Sequence, residues 1–339
     1  MKRLKNKKIA IIGGLGFIGH NLAIKLKRMG AKVSILDSLQ VNNFASVISN
    51  SDVIPNADLS LQILNSRITE LKKNNIPIHY IDARDYNAMS IKLLISLKAE
   101  VIVHLAAVSH ANRSLKNPFS TFDHSLRTLE NSLDISKEKK IKQIVFLSSS
   151  MVYGNFKKKS VKENEICDPI DVYGTLKYMA EKLVKVYKKV FDINYTIIRP
   201  SALYGERCIS RRVSQIFIEH AIKDQEIIVN GDGKDKLDFT YIDDLCQGIV
   251  KSILNKKAYN QTFNITFGKG REINSLIKIL KNYFPNMKIK FKSKGKFVPD
   301  RGTLSNAKAK KLLGFKPMWE LEKGYKNYIK WYINLTSQN

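Results

Sequence analysis

Up to Pro200 the chain repeats one pattern: a short, almost unbroken apolar run, a turn, then a longer stretch whose apolar residues recur at helical spacing. The runs are Lys8-Ile9-Ala10-Ile11-Ile12, Lys32-Val33-Ser34-Ile35-Leu36, Ile78-His79-Tyr80-Ile81, Val101-Ile102-Val103-His104-Leu105, Gln143-Ile144-Val145-Phe146-Leu147 and Tyr195-Thr196-Ile197-Ile198-Arg199. Such runs predict strands buried on both faces. Between them, Ile18, Leu22, Leu26 and Met29 mark a helical face that stops at Gly30, and Leu61, Leu64, Ile68 and Leu71 mark another. Further helices are predicted around 91–97, around 121–137 and from Tyr173 onward. Strands and helices in alternation specify an α/β fold, a doubly wound parallel sheet with ligand groups gathered at the C-terminal strand ends. Asp37, Asp82, Ala106 and Ser149 stand at such ends.

Beyond Pro200 the alternation weakens and short motifs replace it: Tyr204-Gly205-Glu206-Arg207, Gly231-Asp232-Gly233 and Asp238-Phe239-Thr240-Tyr241-Ile242-Asp243-Asp244. The division this predicts is a first domain over 1–200 and a smaller C-terminal lobe over most of 201–339. The segment 240–268 returns to the first domain through a strand at Phe263-Asn264-Ile265. Trp319, Tyr325, Tyr328, Trp331 and Tyr332 read as helix packing.

The first turn carries chemistry. Glycines 14, 16 and 19 satisfy G-x-G-x-x-G, and glycines 13, 16 and 19 satisfy a related evenly spaced pattern. Both let backbone N–H groups approach a pyrophosphate at a helix N-terminus. Set between two strands, with Asp37 closing the second, the motif describes a Rossmann dinucleotide site. A carboxylate there accepts a ribose 2′-OH and repels a 2′-phosphate, which favours NAD over NADP.

Composition narrows the class. A chain of 339 residues with 44% apolar content can bury a large core. The basic segment Met1 to Lys8 precedes an apolar run that breaks at Gly13-Gly14, too short for a signal sequence or a membrane span. Cys167, Cys208 and Cys246 suggest neither a disulfide framework nor a metal cluster, and a cytoplasmic protein is expected. The net charge of +28 attracts anions, but its lysines are spread along the chain without aromatic interleaving, so no nucleic-acid partner is expected.

Tyr173 and Lys177 sit one helical turn apart on one face. A phenol near pKa ~10 is a poor base at neutral pH unless a cation favours its phenolate, and Lys177 is placed to be that cation. Among the histidines, His104 reads as a core imidazole, and His110 and His124 lie near the expected cleft.

Taken together, Gly13 to Gly19, Asp37, Asp82, His104-Leu105-Ala106-Ala107, Ser148-Ser149-Ser150-Met151-Val152-Tyr153-Gly154, Tyr173 to Lys177, Arg199-Pro200 and Tyr204-Gly205 resemble the extended short-chain dehydrogenase/reductase family. More narrowly the chain is similar to its NAD-dependent nucleotide-sugar epimerase/dehydratase branch, and to UDP-galactose 4-epimerase-like enzymes within it. The resemblance implies Tyr173 as acid/base, Lys177 lowering its pKa and holding the nicotinamide ribose, and Ser149 on the reacting sugar hydroxyl. It implies cofactor contacts from Gly13, Gly16, Phe17, Ile18, Gly19, Asp37, Asp82, Ala83, Leu105, Ala106, Ala107 and Pro200. It also implies a nucleotide-diphosphate sugar as substrate, a C4 inversion through a transient 4-keto sugar with hydride stored on NAD, and a homodimer.

After Ser149, where sugar dehydratases carry an acidic pair, this chain has Ser150 and Met151, which disfavours dehydration; Ser150 also argues against the decarboxylases, which place a glutamate there. Leu237 stands where relatives have a phosphate-binding arginine, with Lys234, Lys236, Arg207, Arg212 or Arg301 as replacements. Of these, Arg207, Lys236 and Arg301 join Ser149 and Ser150 as expected substrate contacts, and Lys294 and Lys296 compete with Arg301 for the later family arginine. Ser125 replaces an asparagine common near the cofactor. The alternatives are a nucleotide-sugar reductase, dehydrogenase or decarboxylase on the same scaffold, and a non-catalytic dinucleotide sensor with a basic nucleic-acid-binding surface.

Overall fold

A computed structural model describes residues 4–108, 114, 116–138, 141–293 and 299–337. Seven strands form one parallel sheet: β1 (Lys8–Ile12), β2 (Lys32–Asp37), β3 (Ile78–Tyr80), β4 (Val101–His104), β5 (Gln143–Leu147), β6 (Tyr195–Arg199) and β7 (Gln261–Asn264). Their order across the sheet is β7-β6-β5-β4-β1-β2-β3, so the winding reverses between β1 and β4. A doubly wound sheet opens its ligand crevice at that switch point.

The period-2 geometry of strands explains why the runs are apolar throughout. Ile9, Ile11, Val33, Ile35, Val101 and Val103 face one core, and Ala10, Ile12, Leu36, Ile102, Ile144 and Phe146 face another. On the first side lie α1 (Phe17–Arg28), α2 (Ala57–Lys73) and α5 (Ile242–Leu254), numbering α3 (Val172–Phe191) and α4 (Val213–Ile222) in chain order. The core on that face runs on into the residues beyond Pro200, where α6 (Leu321–Thr336) packs Tyr325 and Tyr328 against Tyr204, and Tyr332 against Tyr328. The C-terminal aromatics therefore pack, as expected.

Two predicted helices begin earlier than their apolar spacing indicates. Asp85 caps a helix at Tyr86–Ser90 by accepting from Ala88 N–H at 2.9 Å, and a wider π turn follows at Ile91–Ser96. Asn117, with Pro118 at the first helical position, caps Pro118–Phe122 by accepting from Ser120 N–H at 2.9 Å, with a second π turn at Asp123–Arg127. Side-chain capping satisfies donors that the helix itself leaves open, so it sets the start.

The chain beyond Pro200 forms small paired strands, Leu203–Tyr204 with Thr240–Tyr241 and Lys236–Leu237 with Arg271–Glu272, and between the two members of the second pair β7 rejoins the sheet beside β6. Among the described residues no helix is long and apolar enough to cross a membrane.

Candidate active site

A cleft of about 470 Å³ runs from the glycine turn after β1, past the ends of β4 and β5, to Arg212, Lys236 and Arg301 in the chain beyond Pro200. Its floor is built by close backbone approach. Gly13 has φ +77°, and a Cβ there would sit 2.7 Å from the Ala106 nitrogen, so only glycine lets the β1 and β4 ends close on each other. Gly16 caps α1, whose first turn carries no acidic residue, leaving its N–H groups and the positive end of the helix dipole for an anion. Gly13, Gly16, Phe17, Ile18, Gly19, Leu105, Ala106 and Ala107 all line this space.

Asp37 reaches the same floor, but its oxygens are already engaged: Oδ2 accepts from Leu15 N–H at 2.9 Å and Oδ1 from Leu39 N–H at 2.8 Å. Burial raises its pKa, opposed by these two hydrogen bonds and by Arg67. The carboxylate thus shapes the glycine turn as well as facing the cleft.

Across the cleft, α3 begins with Asp171, whose Oδ1 accepts from Gly174 N–H at 2.6 Å. Gly174 lets this first turn approach the Ser149–Tyr153 segment closely; a Cβ there would lie 2.7 Å from the Met151 carbonyl oxygen. That approach sets Tyr173 and Ser149 side by side on the cleft wall, where Ser149 works against the burial that raises the phenol's pKa. Ser149 is itself fixed at the end of β5, accepting from Met151 N–H at 3.2 Å.

Lys177 is buried on the same face and donates from Nζ to the Leu147 carbonyl at 2.7 Å, 4.9 Å above the Phe146 ring centre. Burial pushes its pKa down to about 8, partly offset by Glu181. The phenol of Tyr173 is raised above its ordinary value by burial, and the cations that oppose this most are Arg212 and Arg301. Helical spacing places Lys177 on the same face as Tyr173, and its ammonium is fastened to the end of β5.

Arg301 donates from Nη2 to Ser150 Oγ at 2.5 Å and to Ser201 Oγ at 2.9 Å. Its loop is held by Asp238, which accepts from Leu304 and Gly268 N–H groups, each at 3.1 Å. Burial pushes the Asp238 carboxyl up to about 6, and those same donors pull against it. With Arg212 lining the cleft too, two guanidiniums face the space beside Tyr173.

The arrangement joins a backbone anion cradle, a serine–tyrosine pair and an arginine pair in one cleft. Residues 9–266 match the model of the NAD dependent epimerase/dehydratase family. The chain belongs to that family. A Methanocaldococcus jannaschii protein named "Putative UDP-glucose 4-epimerase" is 30% identical over 335 residues, covering 96% of this chain and 98% of the relative. The solved UDP-glucose 4-epimerase of Thermotoga maritima with UDP-glucose superposes with a TM-score of 0.85 at 26% identity, covering 97% of this chain and 99% of that one. The UDP-glucuronic acid 4-epimerase of Bacillus cereus, in complex with UDP-glucuronic acid and NAD, gives a TM-score of 0.86 at 25% identity, covering 96% and 99%.

Within this family site the other sequence-predicted residues divide. Pro200, Ala83 and Asp82 line the cleft, with Asp82 paired to Arg84 at 2.6 Å. Ser148 donates to Glu181 at 2.6 Å rather than merely closing its strand. Lys236 stands exposed on the rim. Arg207 does not line the cleft: its Nε donates to Ser66 Oγ at 3.2 Å, on a backbone with φ +64°. Lys234 pairs with Asp232 on the exposed surface. His104 is a buried imidazole bonded to Ser132 at 3.0 Å, and burial pushes its pKa down to about 3. His124 lines the cleft, and Ser125 lies within 3.4 Å of the Val108 nitrogen. His110, Lys294 and Lys296 lie outside the described residues.

Four contributors were not picked out from the sequence: Arg67, Asp171, Glu181 and the anchoring role of Asp238. Asp171, a helix cap, and Glu181, one turn beyond Lys177, were legible as spacing. Arg67 and Asp238 act through contacts between segments far apart in the chain, which no local pattern announces.

Proposed function

We propose that this chain is an NAD-dependent nucleotide-sugar epimerase that inverts C4 of a nucleotide-diphosphate sugar. The observation that carries the reading is that Ser149, Tyr173, Lys177, Arg212 and Arg301 line one cleft with the glycine turn. The glycine cradle and the α1 N-terminus fit a dinucleotide diphosphate, and Asp37, Asp82 and Ala83 would meet its adenosine half. Bound NAD would supply the hydride acceptor and donor that carbinol oxidation and re-reduction require.

Tyr173, as phenolate, takes the proton of the sugar hydroxyl and later returns it, while Ser149 holds that oxygen by a hydrogen bond. Lys177 is assigned to the nicotinamide ribose. Arg301 and Arg212 hold the substrate diphosphate through charge-assisted bonds, so the sugar turns while its tail stays fixed. Ser150 and Met151 offer no carboxyl acid for elimination of water, and Ser150 is occupied by Arg301.

The test is to incubate the purified protein with a panel of UDP-sugars and catalytic NAD and to separate the products. A C4 epimer with no accumulation of NADH is expected, and stoichiometric consumption of NAD(P)H would replace this reading with a reductase or dehydrogenase. Asp37→Ala is expected to weaken NAD binding more than NADP binding in calorimetry, because the carboxylate facing the ribose is lost. An unchanged preference would reject the ribose contact.

The reading extends to a homodimer in the cytoplasm. On α3, Met179, Val186 and Val190 are exposed along one face, beside Phe119 and Phe122 of the neighbouring helix Pro118–Phe122. An apolar patch of this kind is commonly covered by a second subunit. Sedimentation is expected to give twice the chain mass, falling to one with Val186→Glu and Phe119→Glu together.

A further inference from the structure

Between β2 and β3 the chain makes a long excursion, and α2 carries Arg67 from it to the glycine turn. Arg67 is 1% exposed, and its hydrogen bonds all end on backbone carbonyls. Nη1 donates to the Leu15 oxygen at 3.1 Å, while Nε and Nη2 donate to the Arg207 oxygen at 3.1 and 2.5 Å. Leu15 lies inside the glycine turn, and Asp37 holds its N–H at 2.9 Å. One residue of the phosphate-binding turn is therefore gripped from both sides, by a carboxylate on its nitrogen and by a guanidinium on its carbonyl. The Arg207 carbonyl ties the same guanidinium to the segment that leads into Arg212.

The charge balance at this point is incomplete. Arg67 lines the cleft, and burial pushes its pKa down to about 10, leaving it protonated at neutral pH. Cys208, Asp37 and Tyr328 act on it through space, but Asp37, the carboxylate among them, has given both oxygens to backbone N–H groups. Arg207 adds a second positive charge nearby. His20, buried beside them with its Nδ1 on the Gly16 carbonyl at 2.9 Å, is held neutral by burial and by both arginines. An enclosed cation bonded only to neutral carbonyls carries a desolvation cost that an anion would offset.

We propose that Arg67 is a cofactor-anchoring residue, its charge balanced by the diphosphate of the bound dinucleotide and its hydrogen bonds holding the glycine turn open to receive it. This rests on the NAD reading above. It makes α2, outside every glycine or tyrosine motif, part of the cofactor site. It also joins cofactor binding to the placement of the 207–212 segment.

The experiment compares wild type with Arg67→Met and Arg67→Lys, measuring calorimetric affinities for NAD, ADP-ribose and adenosine, with circular dichroism to verify folding. Loss of one charge-assisted contact is expected to weaken NAD and ADP-ribose by about 10- to 100-fold in Arg67→Met. Adenosine, which lacks the diphosphate, is expected to bind within about twofold of wild type, and the salt dependence of NAD binding is expected to become shallower. Arg67→Lys keeps the charge but cannot span both carbonyls, so its loss is expected to be smaller and its salt dependence close to wild type. Equal losses for NAD and adenosine would overturn the proposal, since a merely structural role damages the whole pocket. Wild-type affinity for NAD in folded Arg67→Met would overturn it too. If Arg67→Met does not fold, Arg67→Lys decides by the same comparison: selective loss for the diphosphate ligands supports the proposal, and equal loss or none overturns it. If wild type itself binds no NAD, the functional reading fails before this one is reached.

Discussion

Tyr173→Phe is expected to remain folded, to bind NAD with unchanged affinity and to lose epimerisation by about 10²- to 10⁴-fold, the usual contribution of a positioned proton-transfer group. The substitution removes one oxygen from a ring enclosed between α3 and the Ser149–Tyr153 turn. The helix keeps its Asp171 cap and its close approach at Gly174. What disappears is the hydroxyl that Arg212, Ser149 and Arg301 act on. Burial holds this phenol above its ordinary value, so the reactive phenolate becomes more populated as pH rises. Wild-type kcat/KM is therefore expected to climb toward alkaline pH, and the residual activity of the variant to lack that limb. Steady-state assays across pH, with bound NAD measured on the same samples, test both statements. Wild-type activity in the variant would remove Tyr173 from its assigned role.

The second large effect is on stability. Glu181 is fully buried, and Arg199, 2% exposed, binds it through Nε at 2.8 Å and Nη2 at 2.6 Å. Ser148 Oγ donates to the same carboxylate at 2.6 Å. Glu181→Gln leaves the Arg199 charge enclosed without its counter-ion, and breaking a buried pair in this way costs about 3–5 kcal/mol. Urea denaturation is expected to show a loss of that size. Replacing both partners, Glu181→Leu with Arg199→Met, is expected to recover most of it, because neither charge is then stranded. A loss below about 1 kcal/mol in Glu181→Gln would mean the pair contributes no more than an exposed one. Glu181 also holds up the pKa of Lys177, so its removal is expected to lower that value further.

These two residues show how far local pattern reaches. Tyr173, Lys177 and Glu181 share a helical face because of their spacing alone, and the apolar runs that became β1, β2, β4 and β5 were read nearly to the residue. The helix starts at Tyr86 and Pro118 were read late, because the decisive signals were the single capping side chains Asp85 and Asn117 rather than an apolar repeat. Arg207 was expected at the substrate, since a basic residue beside Tyr204-Gly205 is chemically suitable. It instead donates to Ser66, on a segment 141 residues away in the chain.

The amino-acid order by itself determined the alternating strands and helices, the glycine turn at the end of β1, and the phenol and ammonium one helical turn apart, since each depends on residues close together in the chain. Only the tertiary structure decided which charges face that phenol, which arginines enter the cleft, and that Arg67 and Asp37 grip Leu15 from opposite sides. Those outcomes depend on where distant segments cross and how much water their packing excludes, and neither quantity is carried by spacing along the chain.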